Sequence, residues 1–152
     1  MISESAQAGG DDDPVWQLRA LSIQQPSTWL VVMGIKDIEN RSWSTSHRGP
    51  ILIHASSDPS GMKPDRLHAL RRDFTVDVPD RLPLGGIIGV ADIADCVRDH
   101  PSIWASSRRV NWVMRNAQSL PFRRCKGALG LFVPDNNNVR ETRSQLGLWD
   151  DL

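Results

Sequence analysis

The stretch Ala20–Ser56, ALSIQQPSTWLVVMGIKDIENRSWSTSHRGPILIHAS, decides the fold. It opens on the end of a loosely alternating run, WQLRALSI, which predicts a strand. QQPSTWLVVMG then predicts a short helix, with Ser27 and Thr28 following Pro26 at its start and Gly34 stopping it. IENRSW and GPILIHAS predict two β-branched strands around a turn, with Gly49 and Pro50 between them. Further along, KPDRLHALRRDF predicts a helix, since Leu67, Leu70 and Phe74 stand at helical spacing with the arginines turned elsewhere. GGIIGVADIADC predicts a long buried strand, RRVNWVMRNA an amphipathic helix through Val110, Val113, Met114 and Ala117, and KGALGLFV a closing strand. About five to six strands with short interposed helices describe an α+β chain folded as a small β-barrel.

The chain has 152 residues, which suits one core, and its 39% hydrophobic content is enough to build it. The acidic start MISESAQAGGDDD lacks the basic and apolar regions of a signal peptide, and no apolar run is long enough to span a bilayer, so a cytoplasmic location is expected. In that setting Cys96 and Cys125 read as reduced core thiols.

The formal net charge of zero is an average over unlike parts. Residues 1–14 carry Glu4, Asp11, Asp12 and Asp13 and no base; residues 135–152 carry four acids against Arg140 and Arg143. The body between them is therefore basic, and all but three of its bases are arginine, the residue best suited to phosphate contacts and to stacking on bases. A solvated arginine surface is the plainer reading. Neither end shows apolar periodicity, so residues 1–14 read as an acidic disordered tail, 15–134 as the folded domain and 135–152 as a polar tail.

Several motifs in the body resemble the ASCH domain of the PUA-like superfamily. The most specific is Gly-x-Lys-x-x-Glu-x-Arg, met by Gly34, Lys36, Glu39 and Arg41; Gln25-Pro26, Trp29, Arg48-Gly49 and Lys126-Gly127 support it. The resemblance covers about residues 18–134. It implies a PUA-like barrel whose cleft accepts RNA, DNA or a modified nucleoside.

The chemistry of the motif fits that expectation. A helix entered through QQPST would point backbone N–H groups, with Gln25 and Ser27, at a phosphate, and Lys36 and Arg41 would add charge beside it. In a strand, Glu39 and Arg41 share one face. They would form a preset ion pair or divide the work, Glu39 accepting from a base edge while Arg41 grips phosphate or stacks. The alternative is an exposed edge-strand salt bridge worth under about 1 kcal/mol. Arg48 and Lys126 complete the basic candidates. Trp43, in a polar turn, suits either base stacking or local packing; Trp29 and Trp112 read as structural.

His47, His54, His68 and His100 show no ligand spacing, so no metal site is expected; His54 reads as a satisfied strand-end histidine, and Asp92, Asp95 and Asp99 as a solvated turn. The leading function is a module that binds single-stranded RNA, or a flipped or modified base, in the barrel cleft. Second is a single-strand ribonuclease with Lys36 and Glu39 as acid and base, the one reading that would call for a divalent metal. Third is a modified-cytidine amidohydrolase. The resemblance places a threonine nucleophile three residues after the lysine of that enzyme, where this chain has Glu39.

The polar tail carries one more motif. Gln145, Leu146, Gly147, Leu148 and Trp149 resemble the Gln-Leu-x-Leu-Phe peptide that docks bacterial proteins on the DNA sliding clamp, with tryptophan in the aromatic slot. The plainer reading is a C-terminal turn folded back onto the barrel.

Overall fold

A computed structural model describes residues 12–134 of the chain. The elements are β1 (Ala20–Ile23), α1 (Ser27–Val32), β2 (Ile38–Arg41), β3 (Gly49–Ala55), α2 (Pro64–Phe74), β4 (Gly86–Val97), β5 (Val110–Arg124) and β6 (Leu131–Phe132). The strands form one sheet in the order β2-β5-β4-β3-β1-β6. β1 and β3 run parallel, and every other neighbouring pair is antiparallel. This is the α+β small barrel that the sequence predicts.

Period-two alternation in the strands builds two apolar layers. Ile51, Ile53 and Ala55 of β3 join Leu21, Ile23, Ile93, Trp112 and Met114 inside the curl. Leu52 points to the other face, with Trp16, Ala20, Ile87 and Leu120. α1 packs against β3, β4 and β5. A Cβ on Gly89 would fall 2.7 Å from both γ-carbons of Val32, so the helix can approach β4 this closely only over a glycine. A third apolar cluster, Leu30, Leu67 and Val78, ties α1 to α2.

The curl has a direct sign. Three strands separate β2 from β1 in the sheet order, yet the Arg41 guanidinium donates from Nη2 to the Ser22 carbonyl at 2.6 Å. The β2 edge therefore faces β1, the strand inside the opposite edge strand β6; no backbone ladder joins β1 to β2, and a side chain spans the gap.

Three predictions from the sequence need correction. RRVNWVMRNA is not a helix, because Val110–Met114 is the buried start of β5 and pairs with β2 on one side and β4 on the other. Val110, Val113, Met114 and Ala117 fit a helical stripe by coincidence, and the two-sided pairing of a β-branched, aromatic segment overrides it. The strand expected from Trp16 begins only at Ala20; Pro14–Gln17 is instead a 3-10 turn capped by Asp13, whose Oδ1 accepts from the Val15 N–H at 2.9 Å. The closing strand shrinks to Leu131–Phe132, since Lys126–Gly130 forms a loop. α1, six residues from Ser27 to Val32, is the short helix that the sequence predicts between Pro26 and Gly34.

Cys96 and Cys125 are both thiols, as the sequence suggests. No helix among the described residues is long and apolar enough to cross a membrane. The clamp-like residues Gln145, Leu146, Leu148 and Trp149 lie outside the described residues, as do residues 1–11.

Candidate nucleic-acid interface

The Gly34-x-Lys36-x-x-Glu39-x-Arg41 motif is a folding device before it is a binding one. Gly34 takes a positive φ of 74° at the end of α1, a conformation costly for any residue with a Cβ. The chain thereby doubles back, so that the N–H groups of Ile35 and Lys36 both reach the Leu30 carbonyl at 3.0 Å. This return carries the Lys36 ammonium over the start of the helix, where Nζ donates to Ser27 Oγ at 2.9 Å and stands 5.8 Å from the centre of the Trp104 ring. β2 follows at once and presents Glu39 and Arg41 to the gap.

Glu39 is the centre of the site. It is only 7% exposed, and its Oε2 lies 3.1 Å from Arg41 Nε, an ion pair whose N–H is not aligned as a hydrogen bond. The expected alternative of an exposed edge-strand salt bridge is therefore corrected: β2 is an edge strand, but the pair is largely enclosed. Burial raises the Glu39 pKa, while Lys36 and Arg41 pull it back. Burial likewise lowers the Lys36 pKa, with Glu39 raising it and Arg41 lowering it further. Two cations flank one enclosed carboxyl, and the ion pair is held in place before any ligand arrives.

Two open clefts meet at this carboxyl. The smaller, about 380 Å³, is lined by Gln24, Gln25, Ser27, Lys36, Asn40 and Arg66 among others, and the larger, about 600 Å³, by Ser22, Arg41, Trp43, Asp58 and the loop residues Ala128–Gly130. Gln24 and Glu39 line both.

The loop wall of the larger cleft is fastened from beneath. The His54 ring is 1% exposed, and Nε2 donates to the Cys125 carbonyl at 2.7 Å, which leaves Nδ1 to accept from Ser22 Oγ at 2.9 Å. Burial lowers the His54 pKa, against the hydrogen bond to Cys125. His54 is thus the satisfied strand-end histidine that the sequence suggests.

The other sequence candidates divide. Trp43 lines the larger cleft and also meets Trp112 edge-on, with ring centres 4.7 Å apart and planes at 86°, so both readings of it describe one side chain. Gln25 is buried and committed, its Oε1 accepting from the Trp29 N–H at 2.9 Å and its Nε2 donating to the Pro83 carbonyl at 3.1 Å. The bond to Trp29 occupies one first-turn N–H of a helix of only six residues, so the helix N-terminus does not by itself make the expected phosphate site. Arg48 and Lys126 are exposed and line neither cleft; Arg48 pairs with Asp95 at 3.4 Å. Asp92 accepts from Asn116, and no three His, Cys, Asp or Glu side chains converge among the described residues.

Reading the sequence missed Arg66, Asn40, Trp104 and Asp58. Asn40 accepts from the Ser106 N–H at 3.0 Å and from Asn111 Nδ2 at 2.8 Å, and donates to the Trp104 carbonyl at 2.9 Å, fixing the 100–109 segment beside the site. Trp104 stacks on Phe74 at 4.1 Å and joins the α2 cluster. Arg66 had a usable signal: it precedes Leu70 by four residues, on the edge of the apolar stripe of α2, and both line the smaller cleft. The others depend on loop closure, which local pattern does not encode.

The ASCH domain family profile matches residues 21–120, two thirds of the chain and the span that holds Gln24, Lys36, Glu39 and Arg41. The chain belongs to the ASCH domain family. This ASCH domain is also similar to activating signal cointegrator 1 of Homo sapiens and of Mus musculus, 41% identical to each over 81 residues. The matched part is 51% of this chain and 14% of each relative. The motif at the gap in the sheet is thus embedded in the part of this ASCH domain that defines its family.

Proposed function

We propose that this ASCH domain is a nucleic-acid-binding module that takes an unpaired base of single-stranded RNA, or a flipped or modified base, into the gap between β1 and β2. One observation carries the reading. An enclosed carboxyl, Glu39, is pinned between Lys36 and Arg41 at the junction of two open clefts. A core has little use for such a group, because the cost of taking a carboxyl and its cation out of water can exceed what their pairing returns. A base edge does: exocyclic amines and ring N–H groups need an acceptor, and leaving one unpaired costs about 1–3 kcal/mol. Trp43 offers a ring to stack on, and Leu129, 99% exposed on the lip of the larger cleft, offers an apolar cover.

The test is titration of a labelled single-stranded RNA oligonucleotide at several salt concentrations. Binding that weakens with salt and is lost in Arg41→Ala supports the module; affinity unchanged in Lys36→Ala with Arg41→Ala sinks it. A second reading, a ribonuclease, draws on the opposed shifts of Lys36, lowered, and Glu39, raised, which move both toward neutral pH as general acid–base work favours. Shortening of the RNA, abolished in Glu39→Gln, would replace binding by cleavage, and running it with magnesium and with EDTA tests the metal. Docking on a sliding clamp through Gln145–Trp149 stands as a separate proposal, tested by recovery of the full chain and of Gln145→Ala with Leu148→Ala on purified clamp.

A further inference from the structure

The two clefts share a wall but not a charge. The smaller is lined by two cations, Lys36 and Arg66, and one carboxylate, Glu39. The larger is lined by one cation, Arg41, and two carboxylates, Glu39 and Asp58. Arg41 is already turned to Glu39 and to the Ser22 carbonyl. Asp58 is held ionised, its pKa lowered first by hydrogen bonds from Ser60 and further by Gln24 and Arg66. A phosphate entering the larger cleft would meet two carboxylates against one committed guanidinium. A base entering it would find acceptors for its amines, the Trp43 ring and the apolar Leu129. In the smaller cleft the preference reverses: Lys36 and Ser27 are already joined at 2.9 Å, Arg66 extends from the first turn of α2, and Gln24 supplies an amide.

We propose that the two clefts hold one nucleotide step, with a base in the larger cleft and the phosphodiester that joins it to its neighbour in the smaller, gripped by Lys36 and Arg66. The inference rests on the reading that this gap binds nucleic acid, and adds to it the ligand class and a contact residue. Glu39 and Gln24, on the shared wall, fix the register between base and phosphate. Such a site prefers a nucleotide to a free nucleoside and a strand to either. It makes Arg66 a phosphate contact, although α2 carries no part of the Gly-x-Lys-x-x-Glu-x-Arg motif.

The experiment is a titration of the full chain, followed by NMR, with the four ribonucleosides and with their 3′- and 5′-monophosphates. For at least one base the monophosphate should bind about tenfold more tightly than the nucleoside, the gain expected of charge-assisted contacts. Arg66→Gln, at an exposed position, and Lys36→Gln should each bring the monophosphate down toward the nucleoside. Equal affinities for nucleoside and monophosphate in the wild type would overturn the inference while leaving base binding intact. Unchanged monophosphate affinity in Arg66→Gln would overturn it as well. Failure of nucleosides, monophosphates and single-stranded RNA alike to bind would overturn the underlying reading together with it.

Discussion

The β3–β4–β5 wall and the gap between β1 and β2 solve the same problem, joining strands, by opposite means. In the wall, ladders of backbone hydrogen bonds run the length of the strands over Ile51, Ile53, Ile93 and Trp112, and little side-chain chemistry is left for anything else. Across the gap, the Arg41 contact to Ser22 stands in for a ladder, with Arg41 steadied by Glu39 of its own strand. The wall holds the fold. The gap has polar groups enclosed by the domain and turned toward open clefts, an arrangement that gives up stability for a site that a ligand can complete. If this contrast is right, damage to the wall should appear as unfolding and damage to the gap as lost binding.

The largest effect is expected at Trp112, fully buried under the wall and donating from Nε1 to the Trp43 carbonyl at 3.0 Å. Trp112→Ala should cost about 3–5 kcal/mol, read as a lower midpoint in urea unfolding. Arg41→Ala comes next, since it leaves Glu39 enclosed without its nearest cation; a loss of about 1–3 kcal/mol is expected, with RNA binding abolished in protein that remains folded. A gap that tolerates Arg41→Ala in both respects would blur the contrast.

The pH dependence sharpens it. Burial raises the Glu39 pKa above its ordinary 4.5. A carboxyl raised on folding contributes stability that is fully present below that ordinary value and is lost as pH rises through the folded one. Against the opposite slope of His54, whose pKa burial lowers from 6.5, Glu39 should therefore contribute a fall in stability as pH climbs above 4.5, by at most about 1.4 kcal/mol per pH unit for one proton. Glu39→Gln, which cannot ionise, should lack that slope. The smallest effect is expected at Arg48, whose pair with Asp95 is 42% and 57% exposed: Arg48→Ala should change stability by no more than about 0.5 kcal/mol and reduce RNA affinity less than Arg41→Ala does.

Much of this was legible in the sequence where chemistry and local pattern coincide. The β-branched run of GPILIHAS, the stop at Gly34 and the placing of Glu39 and Arg41 on one face each act over a few residues, and each appears in the structure as read. Legibility failed where distant pairing decides. Val110–Met114 has helical spacing but lies between two strands, and that pairing brings Trp112 opposite Glu39 in the β2–β5 register. The enclosure of the Glu39–Arg41 pair was equally hidden, because it depends on a sheet curling until β2 faces β1. Arg48 and Lys126 were drawn in by their charge and by the Arg48-Gly49 and Lys126-Gly127 pairs, and neither signal says which cleft a residue lines.

The most direct test of the gap as the binding site is a backbone and indole NMR titration of the full chain with a mixed-sequence single-stranded RNA oligonucleotide. The account predicts that the largest shifts fall on Gln24, Glu39 and Arg41 and on the Trp43 indole N–H, with the β3–β4 ladder nearly unmoved. Shifts confined to exposed arginines outside both clefts, such as Arg48, Arg98 and Arg108, with the Trp43 indole unchanged, would contradict it.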